Sequence, residues 1–138
     1  MIHLSPVLLK RILLDIESVP EESCGFLFGS SISAINKIDR FLHVKNDSDY
    51  DKSKRFKISS NNYKLAEAFA EKHACEMMGI YHTHLDCPPI PSELDKKFAF
   101  PGFYYLIISL VDLSFSEVKC WKITSHRKFI EIGIKFNS

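Results

Sequence analysis

The stretch Tyr81-His82-Thr83-His84, continuing through Pro91-Ser92-Glu93-Leu94-Asp95, holds the residues of this chain best suited to bind a metal ion. Two histidines separated by one residue close an apolar run, and an aspartate follows eleven positions after the second. Imidazole and carboxylate are the donors zinc takes in catalytic sites, where three protein ligands leave the fourth position open to water. His82, His84 and Asp95 are therefore candidate zinc ligands, and the chemistry they suggest is metal-assisted hydrolysis. Each group also has an ordinary structural explanation. A His-x-His pair can be hydrogen-bonded across a sheet, and Ser92-x-x-Asp95 at a helix start has the form of a capping box. Cap and ligand are compatible, because the first turn of such a helix can face the exit of the preceding strand. A hydrolytic centre further needs a proton acceptor within reach of the attacking water. Glu22, ahead of an apolar strand, is the candidate base; Glu21 beside it is the next candidate, and carboxylates so placed are commonly solvated.

The elements that must position these groups follow from pattern. Ser5-Pro6 predicts a helix start, with serine as N-cap and proline at the first position, and Leu9, Ile12, Leu13 and Ile16 give it an apolar stripe to about residue 18. Val19-Pro20 ends it. Cys24-Gly25-Phe26-Leu27-Phe28-Gly29 reads as a buried strand, and residues 31–44 as a further strand or hairpin. Residues 45–57 turn polar and form a loop, with Asn46-Asp47-Ser48-Asp49 supplying turn chemistry. Phe56-Lys57-Ile58 resembles a short strand, and residues 60–75 a helix carrying Leu65, Ala68 and Phe69 on one side. Residues 76–84 form the central strand, whose alternation puts Met78, Ile80, His82 and His84 on one face. Both imidazoles then point the same way, with Cα atoms roughly 6.5 Å apart from the strand rise. Pro88-Pro89-Ile90-Pro91 breaks the strand, and Ser92 starts a helix to about Phe100. Residues 104–111, 115–123 and 129–136 read as closing strands, the last alternating Ile130, Ile132, Ile134 and Phe136 with Glu131, Gly133 and Lys135.

A chain of 138 residues, 46% hydrophobic and 25% charged, suffices for one domain with its own core, expected to span residues 1–138. A formal charge of +1 with dispersed Lys and Arg gives no footprint for nucleic acid and no polybasic arm for a membrane. Lys10, Arg11 and Asp15 interrupt the apolar amino terminus without a small-residue cleavage site, so neither a signal peptide nor a membrane span is expected. Cys24, Cys75, Cys87 and Cys120 lack paired spacing, which points to reduced thiols and a cytoplasmic location. Trp121 and the five tyrosines read as core or rim.

Taken together, Glu22, then Cys24-Gly25-Phe26-Leu27-x-Gly29, then His82-Thr83-His84, seven residues, Ser92, two residues and Asp95 resemble the complete motif of the JAMM metalloprotease family (JAB1/MPN/Mov34 domains). The resemblance covers nearly the whole chain. It implies an α/β fold of the MPN, cytidine-deaminase-like kind, a mixed and mostly antiparallel sheet flanked by helices. It also implies that His82, His84 and Asp95 bind Zn2+, that Glu22 carries a proton from water to the leaving amine, and that Ser92 stabilises the oxyanion.

The short form is similar to bacterial members that act on ubiquitin-like or sulfur-carrier proteins, as are Ile80 to His84, Pro91-Ser92 and Pro101-Gly102-Phe103-Tyr104-Tyr105-Leu106-Ile107. That implies a β-grasp partner cut after a carboxyl-terminal Gly-Gly. The loop of residues 45–57 is the candidate for gripping its tail, by strand addition, against the alternative of a plain solvated loop. Leu85 and Cys87 stand where many bacterial relatives have proline and histidine. Cys87 is either an ordinary loop thiol or a redox or autoinhibitory ligand, and it stays outside the metal set. A second class of function is a catalytically silent scaffold of the same fold that binds a ubiquitin-like partner; the intact Glu22, His82, His84, Ser92 and Asp95 oppose it. A nucleoside or base deaminase would need H-x-E and P-C-x-x-C, which are missing. The identity of the partner, the choice between peptide and isopeptide bond, and the oligomeric state stay open.

Overall fold

The computed structural model describes residues 1–137. Its elements in chain order are β1 (Ile2–Leu4), α1 (Pro6–Ile16), β2 (Cys24–Ile32), β3 (Ile35–Val44), α2 (Ser60–Lys72) and β4 (Glu76–Leu85). There follow α3 (Glu93–Phe98), β5 (Tyr104–Val111), β6 (Ser114–Ile123), β7 (Phe129–Ile132) and β8 (Ile134–Phe136). All strands join one sheet in the order β7-β6-β5-β4-β2-β3-β1-β8. Four pairings are antiparallel (β2 with β3 and β4, β6 with β5 and β7) and three parallel (β1 with β3 and β8, β4 with β5). The fold is thus the mixed α/β arrangement expected, an antiparallel-dominated sheet with helices on both faces.

The helix α1 forms as its sequence dictates. Ser5 Oγ accepts from the Val7 amide at 3.2 Å, Pro6 opens the helix, and Leu8, Leu9, Ile12 and Ile16 are buried. Each such side chain contributes roughly 1.5–3 kcal/mol on leaving water. They pack against Leu27, Ile38, Tyr81, Leu106 and Ile108 from one face of the sheet. On the opposite face, Phe26, Phe28, Ile80 and Tyr105 pack with Ala66 of α2 and with Ala99 after α3.

Several expectations need correction. The inward stripe of α2 is Tyr63, Ala66, Phe69 and Ala70, while Leu65 and Ala68 are exposed; counting turns from the Ser59 N-cap sets this phase. In β4 a bulge interrupts the alternation: Leu27 faces Gly79 and Phe28 faces Met77, leaving Met78 as the extra residue. Met78 therefore joins the α1 side, whereas Met77 and Ile80 lie on the α2 side. Phe56-Lys57-Ile58 makes no strand, because the Lys57 amide bonds the Asn46 side chain rather than a neighbouring strand. The helix α3 stops at Phe98, short of Phe100; Ala99 is already extended, and Arg127 caps the carbonyls of Lys96, Lys97 and Ala99.

The two ends of the chain depart most from pattern. Near the amino end, Ile2 and Leu4, both fully buried, flank the partly exposed His3 in a strand between β3 and β8. Residues 129–136 are two strands on opposite edges of the sheet, separated only by Gly133, whose carbonyl accepts from the Ile2 amide at 2.9 Å. The sheet must curl for one residue to bridge both edges. Ile132 and Ile134 then turn inward, while Ile130 and Phe136 stay about half exposed. At the sheet centre Gly79 is obligatory: a Cβ there would meet the Tyr104 carbonyl oxygen at 1.9 Å, which closes β4 tightly onto β5. Among the described residues no helix is long and apolar enough to cross a membrane.

Candidate metal centre

The strand β4 delivers His82 and His84 to the same side, at its carboxyl end, with ring centroids 5.2 Å apart. Both are buried, at 1% and 5% exposure. Helix α3 brings the third group. Ser92 Oγ accepts from the Asp95 amide at 3.1 Å, and Asp95 Oδ2 accepts from the Ser92 amide at 2.8 Å, so the capping box is real. The same Asp95 carboxylate reaches His84 Nε2 at 3.2 Å and His82 Nε2 at 3.5 Å. Cap and ligand position are one residue, and the possible ligand atoms of His82, His84 and Asp95 lie within 4.8 Å of one another.

The donor chemistry of this cluster suits a divalent cation. His84 Nδ1 lies 2.9 Å from the Pro88 carbonyl, which only accepts, so Nδ1 carries the hydrogen. In the neutral ring Nε2 then presents a lone pair toward Asp95, the tautomer a metal-ligating histidine needs. A lone pair facing a carboxylate is repulsive unless a proton or a metal cation lies between them. Burial pushes the His84 pKa down, but hydrogen bonds to Asp95 and the Pro88 carbonyl, with the charges of Asp95 and Glu22, raise it overall. For His82, burial dominates and lowers the pKa, leaving the imidazole neutral and available as a ligand. Burial alone would raise the Asp95 carboxyl; the charge of His82, the hydrogen bond from His84 and the Ser92 amide instead hold it well below the usual range. His82 Nδ1 has no partner among the described residues, and its ring is oriented by Phe56, stacked at 4.4 Å and 23°.

Of the two neighbouring carboxylates, only Glu22 is enclosed: it is 7% exposed, whereas Glu21 is exposed. Burial pushes the Glu22 pKa up to about 8, with the charge of His84 opposing the rise and that of Asp95 adding to it. A carboxyl poised near neutrality, in the field of the His-His-Asp cluster, is suited to accepting and returning a proton. Its position follows from its neighbours. The Ser23 amide donates to Thr83 Oγ1 at 2.8 Å, and the Thr83 amide donates to the Ser23 carbonyl at 3.0 Å. The residue after Glu22 is thus pinned to the residue between the two histidines.

Asn46 fixes the other side of Glu22. Its amide nitrogen donates to the carbonyls of Glu22 and Arg55 at 2.9 and 2.8 Å, and its oxygen accepts from the amides of Ser48 and Lys57, both at 3.1 Å. One buried side chain therefore organises the whole polar loop of residues 45–57. Asn46→Asp would keep the acceptor half and lose both donors. We expect it to cost about 1–3 kcal/mol of stability, read by thermal unfolding, and to speed amide hydrogen exchange in residues 47–57; unchanged exchange there would refute the hub role.

The loop and α3 form the walls of a groove of about 560 Å3 that reaches His82 and Asp95. Phe56, Ile58, Tyr63, Phe100 and Tyr105 give it an aromatic, apolar lining. Other contacts hold the turn after β4: Ser109 Oγ donates to the Cys87 carbonyl at 2.7 Å, and the Trp121 indole donates to the Pro89 carbonyl at 2.9 Å. Pattern placed Trp121 among core or rim residues and gave no sign of the contacts by which Thr83, Asn46 and Phe56 support the site, because their partners lie far away in the chain. The only sequence signal for Asn46 was its turn chemistry. Cys87 is exposed, and partial desolvation with the charges of Glu22, Asp86 and Asp95 raises its thiol pKa, the reverse of what activates a cysteine.

Residues 6–124 match the family described as prokaryotic homologs of the JAB domain. A desampylase of Pyrococcus furiosus is 31% identical over 128 residues, covering 91% of this chain and 84% of its own length. The solution structure of a Desulfitobacterium hafniense protein superposes with a TM-score of 0.86 at 26% identity, covering 99% of this chain and 93% of that one. A JAB1/MPN domain protein from Archaeoglobus fulgidus shares the fold, with a TM-score of 0.61 at 22% identity over 99% of this chain and 97% of that one. With its motif carried on that fold and the match extending over most of its length, the chain belongs to the prokaryotic JAB family of JAMM/MPN domains.

Proposed function

We propose that this chain, acting as one JAMM/MPN domain over residues 1–138, is a zinc-dependent peptidase or isopeptidase. Its substrate is a ubiquitin-like or sulfur-carrier protein of the β-grasp kind, cut after a carboxyl-terminal Gly-Gly. The observation that carries the proposal is the convergence of His82, His84 and Asp95 within 4.8 Å, beside the buried Glu22. The name of the Pyrococcus furiosus relative, a desampylase, supports a protein-processing role.

His82, His84 and Asp95 would hold the zinc, which when bound polarises the scissile carbonyl and acidifies water. Glu22 accepts the proton of the attacking water and returns it to the leaving amine, a round trip that its pKa of about 8 suits. Ser92 uses an Oγ lone pair to cap α3, so its hydroxyl hydrogen remains free to donate to the developing oxyanion. The apolar groove excludes water from the tail and orients the bond to be cut.

A β-grasp protein extended beyond Gly-Gly by a reporter tests the proposal. Zinc-loaded protein is expected to release the reporter, with mass spectrometry placing the cut after the second glycine. Stable binding of such fusions with no cut in any of them would favour the silent scaffold.

A further inference from the structure

The groove carries chemistry that two glycines cannot use. Gly-Gly presents only backbone, so neither the aromatic floor nor any charged group on the walls can read it. What those side chains can read is the segment just before the glycines. Three cations line the groove, Arg55 and Lys57 from the loop and Lys97 from α3, together with the carboxylates of Asp49 and Asp95. Asp95 is turned toward the two imidazoles. Among the described residues none of the three cations has a carboxylate within ion-pair distance, Asp49 included. Two of them are seated on aromatic walls: the Arg55 guanidinium lies 5.0 Å from the Tyr50 ring centroid, and Lys97 Nζ lies 5.5 Å from that of Phe98. The arrangement is an apolar trough with positive charge on both banks, although the chain as a whole carries only +1.

Building on the Gly-Gly reading, we propose that this groove selects tails in which a bulky apolar residue and an acidic residue precede the two glycines. The apolar side chain enters the trough between Phe56, Tyr63 and Tyr105, and the carboxylate meets Arg55, Lys57 and Lys97. The partner is thus a carrier protein with an acidic, not a basic, tail. Charge on the rim steers and discriminates more than it adds affinity, and salt screens it.

Calorimetric titration of the zinc-loaded full chain with synthetic peptides ending in Glu-Leu-Gly-Gly, Gln-Leu-Gly-Gly and Lys-Leu-Gly-Gly tests this. All three end in the same free carboxylate, so only the side-chain charge varies. We expect the Glu peptide to bind about tenfold more tightly than the Lys peptide at low ionic strength, with Gln between them and the gap closing near 1 M salt. In the R55E/K97E double variant the order should invert. The single variants R55E and K97E, on separate elements and at exposed positions, should each narrow the gap, so the test survives if the double variant folds poorly. Equal binding of the three peptides, or an order the variants leave unchanged, overturns the proposal while Gly-Gly cleavage stands. If no peptide binds at any charge, the Gly-Gly tail reading fails and takes this proposal with it.

Discussion

Glu22→Gln is expected to keep full zinc content while lowering hydrolysis of a Gly-Gly fusion by about 10²- to 10⁴-fold, the usual worth of a positioned proton carrier. Glutamine preserves the shape of the side chain and removes only its capacity to take a proton. Metal analysis and single-turnover rates on the same preparation check the two halves of the expectation. Retained activity would move the base elsewhere, with the exposed Glu21 as the next candidate. The same substitution has a second signature in metal-free protein. Folding raises the Glu22 pKa from 4.5 to about 8, so the folded state holds the proton more tightly than the unfolded chain. The wild type therefore loses stability as pH climbs from about 4.5 to about 8, while glutamine does not titrate. Metal-free E22Q should match the wild type below that window and exceed it by a few kcal/mol above it. A constant difference across pH would contradict the burial of this carboxyl.

Asp95→Asn is expected to have the other large effect, and it separates two roles held by one side chain. The amide oxygen of asparagine can still accept from the Ser92 amide, so the amino-terminal cap of α3 survives in part. What disappears is the negative charge shared by His82 and His84 at 3.5 and 3.2 Å. Zinc affinity should fall by more than about 100-fold, since even outer-sphere changes cost 10–100-fold, and hydrolysis should fall to background. Asp95→Ala also removes the carboxylate half of the capping box, leaving Ser92 Oγ on the residue-95 amide, and should cost up to about 1 kcal/mol of further stability. Competition with a chelator reads the affinity, and thermal unfolding of the metal-free variants reads the cap. If D95N bound zinc as the wild type does, Asp95 would be a helix cap only.

Local pattern made much of this site legible, and the reasons are specific. Alternation along β4 placed both imidazoles on one side correctly because the bulge at Met78 lies upstream of them; a bulge between them, at Thr83, would have turned them to opposite faces. Spacing could not separate cap from ligand at Asp95, and the structure explains why: one carboxylate reaches both the Ser92 amide and the imidazoles. Glu22 and Glu21 are indistinguishable by composition, because burial is a property of the folded loop around Asn46 rather than of either residue. Phe56 looked like part of a strand through its β-favouring neighbours, yet its environment is the face of His82, twenty-six residues away in the chain. The strand β1, and the break at Gly133 that splits residues 129–136 into β7 and β8, were hidden for a related reason. Three-residue strands carry almost no periodic signal; among the described residues β8 pairs only with β1, at the other end of the sequence, and β1 lies between β8 and β3.

That terminal pairing sets an order of events during biosynthesis. β1 can find β3 early, but its second neighbour, β8, leaves the ribosome only after every other strand of the sheet has been made. Glu22, His82, His84, Ser92 and Asp95 all precede β5, so the residues of the candidate site emerge well before the last strand pairing forms. Joining segments so distant in sequence is the entropically slow part of folding. The nascent protein therefore passes through a stage in which the residues of the candidate site are present while the outer edge of β1 is still unpaired, and the turn at Gly133 delivers its last partner.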